Sequence, residues 1–444
     1  MENKIKILAV VTTYNRVELA GDLLSSLNEV ESPSFDVLLV DDNSTANYQP
    51  LLNKKYNFPL SYIKNEKNQG PASSLNQGLD YALAKNYDYV WLLDDDVMVE
   101  KDTLKHLIDD LAKDKNIAAS GSALYDINNK NKLISLGYFF NFQTLMPEKN
   151  YSAEDVDYIS TCSDLVDLGV IKKTGLRFDE KYFLRSYDID FYLQLKRAGY
   201  RIIASHNSKA YHPDFEKDSA EKHYYNLRNN TYFALKFDPK KFKNQIIFTW
   251  LSWAKKWYRH GYIFEALPIY LALHDLTNLK MGQRDFYKAL YLNRLEITQG
   301  KKILFPYFGQ NEELKKISNL LANQNCQLTI ITKDQRIEKV IPDQRNIILP
   351  DKLFSKIKIY LKLFNGFDYI ILPGGIKNLI YPFLARKKIK LEKNTNQLYY
   401  LKSNFLDYTV FSLKINCLFL KIIFRQNFGL KNWQQSLLIK NIKS

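Results

Sequence analysis

Short runs of branched and aromatic residues alternate with helix-length stretches through the first hundred residues. Residues 5–12 form an apolar run rich in β-branched side chains, and residues 18–27 follow with helical spacing. Further apolar runs stand at 35–40, 60–64 and 87–93, with a helix predicted over 75–84. Such β-α-β alternation predicts a largely parallel sheet covered by helices. Ligands of these sheets bind beyond the carboxyl ends of the strands. The polar clusters at 12–16, 41–44 and 94–96 all fall at such ends, which makes them one candidate site.

Beyond the first hundred residues the pattern changes twice. Residues 157–235 mix strand and helix signals, with a helix predicted over 189–198. Residues 240–300 read as mainly helical, and Trp250, Trp253 and Trp257 recur there at helical spacing, either as a packing stripe or as an interfacial membrane face. After Gly300 a new β-α pattern starts, with runs at 302–307, 327–332, 346–349 and 368–372. The expected division is a catalytic α/β domain over 1–235, a helical extension over 236–300 and a smaller α/β domain over 301–444.

Charge sharpens that division. The 444 residues carry a net charge of +15, yet residues 301–444 alone hold 25 Lys and Arg against 9 Asp and Glu. All the basic excess therefore lies in the last third. For that region an anionic membrane face, a homo-oligomer contact and a merely solvated Lys-rich surface are the readings. Residues 405–424, with Lys414 and Lys421 and followed by Arg425, suit the first of these. Nucleic acid is not expected as a partner, because nothing in the front half calls for it. Cys162, Cys326 and Cys417 are widely separated and form no CxxC pair, which predicts neither a disulfide framework nor a zinc knuckle and fits a reducing compartment. No run reaches the 18 or so apolar residues of a spanning helix, and no signal peptide is read at the start. The expected location is cytoplasmic, peripheral on the inner face of the plasma membrane.

The strongest chemical signal is the segment 89–96, a hydrophobic strand delivering Asp94, Asp95 and Asp96 to a loop. Adjacent carboxylates repel one another, so the loop either binds a cation or forms a solvated acidic turn. Hard oxygen ligands favour Mg2+ or Mn2+, which bridge carboxylates to phosphates. Asp188 stands at the mouth of a predicted helix, as a cap or as a general base. His212 closes an extended stretch, where an imidazole can complete a metal shell or serve structure alone.

The ordered set VVTTYNR (10–16), VDDNS (40–44), NQGPASSLNQG (68–78), WLLDDDV (91–97), FDEKYFLRSYDIDF (178–191), AGYRI (198–202) and AYH (210–212) resembles the family 2 glycosyltransferases of GT-A fold. It is most similar to their galactofuranosyltransferase and rhamnosyltransferase branches, and residues 224–229 resemble a Tyr/Arg-Asn stretch that follows the core there. The resemblance implies that Thr12, Tyr14, Arg16 and Asp41 line the base and ribose pocket, with Asn68 near the ribose and diphosphate. It implies Asp94, Asp96 and His212 as ligands of Mn2+ or Mg2+, Asp95 near the donor ribose or sugar, and Asp188 as the catalytic base. Tyr187, Arg228 and Asn229 fall to the acceptor or donor region. Two departures, Tyr187 before the base and Ser73-Ser74 in place of a glycine pair, bear on donor and acceptor choice.

The implied activity is inverting, metal-dependent hexosyl transfer from a nucleotide-sugar, UDP-galactofuranose or dTDP-rhamnose, to a cell-surface polysaccharide or lipid-linked glycan. The alternatives are a nucleotidyltransferase and a non-catalytic glycan- or membrane-binding protein. The first wants a Gly-rich phosphate loop that residues 10–20 lack, and no GxxxxGK followed by Ser or Thr is present.

Overall fold

The structure, a computed structural model, describes residues 5–214, 219–237, 245–259, 263–278 and 280–286. Between 293 and 401 it describes 293–294, 300–307, 311–322, 326–332, 345–348, 367–371, 385–392 and 397–401, and beyond these Cys417. The chain separates into two compact units. The first comprises Met1–Glu216, Asn229–Asp238 and Met281–Gln283, and the second Lys217–Arg228, Pro239–Lys280 and Arg284–Ser444. Most of the stretch expected as a helical extension thus belongs with the C-terminal sheet.

In the first unit β1 (Ile7–Thr13), α1 (Val17–Leu27), β2 (Asp36–Asp41), α2 (Gln49–Leu52), β3 (Leu60–Lys64), α3 (Pro71–Ala84) and β4 (Tyr89–Asp94) alternate as the hydrophobic pattern predicts. Then come β5 (Met98–Val99), α4 (Thr103–Ala112), β6 (Ile117–Asp126), β7 (Asn129–Ser135), β8 (Tyr138–Asn141) and β9 (Met146–Lys149). The core of the unit is completed by β10 (Ser163–Asp167), α5 (Leu168–Thr174), α6 (Tyr187–Arg197) and β11 (Arg201–His212). The sheet runs β3-β2-β1-β4-β10-β6-β11-β5, with β7 paired to β6. β3, β2, β1 and β4 are parallel, β10 is antiparallel to both its neighbours, and β6 pairs parallel to β11. This is the expected mixed, mostly parallel sheet.

Register explains why the polar clusters meet. Thr12 lies opposite Asp94, and Thr13 opposite Asp41, so β1, β2 and β4 end level with one another. Along β1 alternate residues face opposite sides. Ile7, Ala9 and Val11 join α1 residues Ala20, Leu23, Leu24 and Leu27 in one buried cluster. On the other side α3 seats close to β1: a Cβ at Gly78 would lie 2.4 Å from a Val10 methyl. Helix α3 begins at Pro71, earlier than the predicted 75, because proline is preorganised for the first helical position and needs no N–H partner there.

α7 (Ala220–Phe237) contributes to both units. The second unit holds α8 (Gln245–Arg259), α9 (Ile263–Thr277), β12 (Asn293–Arg294), β13 (Lys302–Tyr307), α10 (Asn311–Ala322) and β14 (Gln327–Thr332). Its remaining strands are β15 (Arg345–Ile348), β16 (Phe367–Ile371), β17 (Ala385–Glu392) and β18 (Gln397–Leu401). They form a seven-stranded sheet in the order β12-β18-β17-β16-β13-β14-β15, parallel from β17 to β15. The tryptophans of α8 do not act as one packing stripe. Trp250 is buried, whereas Trp253 is 48% exposed and stacks on Trp257. The three described cysteines are free thiols. No helix among the described residues is long and apolar enough to cross a membrane. The basic-apolar segment 405–424, Cys417 apart, lies outside the described residues.

The close seat of α3 on β1 gives a stability prediction. Gly78→Ala should cost about 1–3 kcal/mol in urea unfolding, because the added methyl overpacks against Val10. Val10→Ala should recover part of that loss in the double variant. Unchanged stability of the single variant would show that α3 does not seat there.

Candidate functional site

Three consecutive carboxylates leave β4, and each meets different partners. Asp95 is buried; its carboxylate accepts from the Thr13 hydroxyl at 2.7 Å and from Arg16 Nη1 at 3.0 Å. The same Nη1 donates to Asp96 Oδ2 at 2.9 Å. On its other oxygen Asp96 faces His212 Nε2 at 3.3 Å. Burial works against ionisation of Asp96, but the hydrogen bond and charge of His212, then Arg16, hold it below the usual carboxylate range. His212 is raised in turn: burial opposes its charge, and Asp96 and then Asp94 outweigh that effect. Its Nδ1 lies 2.8 Å from the Pro213 carbonyl and donates to it, so Nε2 points at Asp96. Between that nitrogen and a carboxylate oxygen belongs either a proton or a cation.

Asp94 behaves differently. Its carboxyl is pushed up to about 7, first by burial and then by the charge of Asp96. The Cys162 thiol donates to it at 3.3 Å. Ligand atoms of Asp94, Cys162 and His212 all lie within 4.8 Å of one another. Those three atoms come from the end of β4, the residue before β10 and the end of β11. The pattern of residues singled out Asp94 and His212 here; Cys162 was missed.

The loops after β1 and β2 are tied together beside this cluster. Asp41, fully buried, accepts from the Ser44 N–H at 2.8 Å and from the Tyr62 hydroxyl at 2.7 Å. Asn15 sits at φ 56°, where its short amide tolerates the left-handed region, and its side-chain oxygen accepts from the N–H groups of Thr45 and Ala46. The hydroxyls of Thr13 and Tyr48 lie 2.8 Å apart, and Tyr48 OH accepts from the Arg16 N–H at 3.1 Å. Thr12 is buried at the end of β1, and Tyr14 is 46% exposed just beyond it, with its ring open to solvent. Asp42, which was not singled out, shapes the next loop. Its carboxylate takes N–H groups from Gln69 at 3.0 Å and Gly70 at 2.7 Å, and the Asn65 amide at 2.9 Å. Asn68 also turns inward, its side-chain oxygen accepting from the Gly70 N–H at 3.2 Å.

Asp188 lies in the first turn of α6, one turn position inside the helix rather than at its cap. The cap is Ser186, left-handed like Arg185 before it, both at φ 65°. The Ile189 N–H donates to Asp188 at 2.9 Å. Burial still dominates and pushes Asp188 up to about 6, against the lowering effect of that N–H and of Arg185. Tyr187 is buried, its hydroxyl 3.2 Å from Thr161, and its pKa is driven well up by burial and then by the charges of both Asp94 and Asp188.

Two residues of α7 hold the unusual turn before Asp188. Asn229 donates to the carbonyls of Leu184 at 2.5 Å and Arg185 at 3.0 Å. Asn230 accepts from the Ser186 hydroxyl at 2.7 Å. Asn229 is thus turned to the backbone of the turn that precedes α6. Arg228, its neighbour, belongs to the second unit, buried over the rings of Tyr224 and Tyr225 and donating to the Tyr224 hydroxyl at 3.1 Å.

Residues 8–163 match the profile of glycosyl transferase family 2. That similarity spans less than half of the chain. The matched stretch includes the acid triplet and Cys162 and ends before Asp188 and His212. Among curated relatives, the poly-beta-1,6-N-acetyl-D-glucosamine synthase of Staphylococcus epidermidis is 26% identical over 170 residues, 38% of this chain and 40% of that protein. The amylovoran biosynthesis glycosyltransferase AmsB of Erwinia amylovora is 27% identical over 209 residues, 45% of this chain and 66% of that protein. The chain therefore matches under two thirds of the length of either. Similar solved structures include S. aureus TarS 1-349 in complex with UDP, at 21% identity and TM-score 0.41, covering 62% of this chain and 80% of that one. A second is the mannosyltransferase PcManGT of Pyrobaculum calidifontis with GDP-Man and Mn2+, at 15% identity and TM-score 0.41, covering 64% and 78%.

Within the first unit, Gly70 couples two loops. It sits at φ 87°, and a Cβ there would lie 2.2 Å from the Phe183 carbonyl oxygen. Gly70→Ala should therefore disturb both the Asp42-held loop and the loop before Asp188. Thermal unfolding should drop by several degrees, consistent with about 1–3 kcal/mol for strain in the left-handed region. A variant as stable as the parent would mean that the two loops do not touch.

Proposed function

We propose that the chain is an inverting glycosyltransferase that moves a hexosyl group from a nucleoside-diphosphate sugar to a surface-polysaccharide acceptor. The observation that carries this reading is the meeting of an acid cluster and an imidazole at the carboxyl ends of β4 and β11, with a half-buried carboxyl of raised pKa, Asp188, in the first turn of α6. The names of the curated relatives support a polysaccharide product.

The donor set fits a divalent ion. Asp94 and Asp96 offer carboxylate oxygens, and His212, with Nδ1 already donating, offers Nε2. Bound there, Mn2+ or Mg2+ supplies Lewis-acid stabilisation of the departing diphosphate. The chain's own groups do the rest. Thr12, Tyr14, Arg16, Asp41 and Asn68 line the loops where the nucleotide is read in this proposal, and Asp95 holds Arg16 in place. Asp188 takes the proton of an acceptor hydroxyl as that oxygen attacks the anomeric carbon opposite the leaving group. One displacement inverts the configuration, with no covalent sugar intermediate. Tyr187 and Asn229 act by holding the Asp188 turn. A cytoplasmic position, peripheral on the inner membrane face, belongs to the same proposal and is supported by the basic last third.

The motif resemblance points to galactofuranose or rhamnose as the sugar, and the relatives' names to N-acetylglucosamine. A thermal-shift screen of UDP-galactofuranose, dTDP-rhamnose and UDP-N-acetylglucosamine with Mn2+ distinguishes them. The true donor at a hundred times its Kd should add about 2.7 kcal/mol of stability. Stabilisation by no nucleotide-sugar would remove the proposed activity.

Turnover should depend on Asp188 and on pH together. As a base it acts ionised, so kcat should climb as pH rises through about 6 and level off above. Asp188→Asn should lower kcat by about a thousandfold and abolish that limb, while nucleotide affinity changes little. A variant with parental turnover excludes Asp188 as the base. Chelation should stop transfer, and Mn2+ or Mg2+ should restore it; full activity after chelation would dispose of the metal centre.

A further inference from the structure

Cys162 is absorbed by none of the roles above, yet it occupies the innermost position beside the acid triplet. Antiparallel pairing of β10 with β4 sets it there: Ser163 lies opposite Leu93, and the Asp94 N–H donates to the Cys162 carbonyl at 3.4 Å. The side chain is buried. Its sulfur lies 3.3 Å from Asp94 Oδ2 and 3.0 Å from the Ser160 hydroxyl. With His212 it completes a triangle of one oxygen, one sulfur and one nitrogen, no side longer than 4.8 Å. Ligands about 2.0–2.3 Å from a common ion are separated by distances of this size. Three chemically different ligand atoms, from the ends of β4 and β11 and the residue before β10, make a coordination triangle, which an acidic turn alone does not.

We propose that Cys162 is a ligand of the divalent ion and gives this site a preference for thiophilic ions over Mg2+. The inference rests on the reading that a cation binds beside Asp94 and His212, and it adds the sulfur. On binding, the S–H bond breaks, the proton passes to water and the thiolate lone pair goes to the ion. Mg2+ keeps its water and prefers oxygen, whereas Mn2+ tolerates mixed shells and Co2+, Zn2+ and Cd2+ favour sulfur. The mixed triangle therefore selects Mn2+ over Mg2+ as the working ion and takes Co2+ as a reporter.

The test uses the full-length chain with Cys326→Ser and Cys417→Ser, so that only one thiol remains. Titration with Co2+ should produce a sulfur-to-metal charge-transfer band in the near ultraviolet, saturating at one ion per chain. Adding Cys162→Ser should erase the band and weaken Co2+ binding by at least about tenfold, with Mg2+ affinity little altered. Cys162→Ala serves as a second variant should the serine form fold poorly, and the band in the parent needs neither. Co2+ binding without the band overturns the role of Cys162 and leaves the metal centre standing. No binding of Co2+, Mn2+ or Mg2+ at all overturns both. An unchanged ratio of Co2+ to Mg2+ affinity in both variants overturns the selectivity.

Discussion

Three successive carboxylates at the end of a buried strand repel one another, and the chain resolves that repulsion differently at each. Asp95 is neutralised by Arg16 and the Thr13 hydroxyl; Asp96 is shared between Arg16 and His212. Among the described residues Asp94 has no Lys or Arg in an ion pair with it, and it is instead pushed up to about 7 beside a thiol. The consequence is a graded acid cluster: Asp96 is held below the usual carboxylate range, burial raises Asp95 against the pull of Thr13 and Arg16, and Asp94 is pushed up to about 7. A poised carboxyl next to an imidazole and a thiol responds to an arriving cation by ionising, which a fully paired acid does not. The rest of the first unit is arranged to keep these groups in register.

That arrangement extends to the far side of the site through hydrogen bonds to backbone rather than through charge. Asp42 binds the N–H of Gly70, Gly70 lies against Phe183, and Asn229 and Asn230 hold the turn from Leu184 to Ser186. Two successive left-handed residues without glycine are costly, so such a turn persists only where its surroundings over-determine it. Here the amide and hydroxyl contacts do so. The loop that precedes α3 and the turn that precedes α6 are thereby one mechanical object, although more than a hundred residues separate them.

The parts legible in the sequence are those where one signal dominates. β1, β2 and β4 are buried on both faces and read as continuous apolar runs, so their ends, and the clusters there, follow directly. β6 was not legible. It is built of Ala, Ser and Gly, poor strand formers, and takes Gly121 because a Cβ would come within 2.8 Å of Ile159. Cys162 escaped for a related reason, since its meaning comes from an antiparallel register between β10 and β4 that no local pattern encodes. Asp42 stood in view beside Asp41, but its partners lie 27 and 28 residues later in a loop whose path is set by the fold. At Arg228 and Asn229, neighbours in sequence, burial and direction divide roles that a shared motif had grouped.

The same physics separates Asp188 from the other acids nearby. Asp190 is pushed up to about 6 as well, yet its carboxylate is engaged by Lys236 at 2.7 Å and Gln194 at 3.0 Å and is sealed from solvent. Asp164 is fully buried, holds the Tyr192 hydroxyl and lies well above the usual carboxylate range. Both are spent on structure. Asp188 is half-buried and accepts the Ile189 N–H of its own helix, and among the described residues no lysine pairs with it. A proton acceptor needs a raised affinity for the proton, a free oxygen and a path to substrate. Helix α6 leaves the carboxylate half-buried at position 188 and turns it inward toward Lys236 two residues later. The proposed base is thus chosen by which side of one helical turn reaches solvent, with carboxylates of similar raised pKa on either side of that boundary.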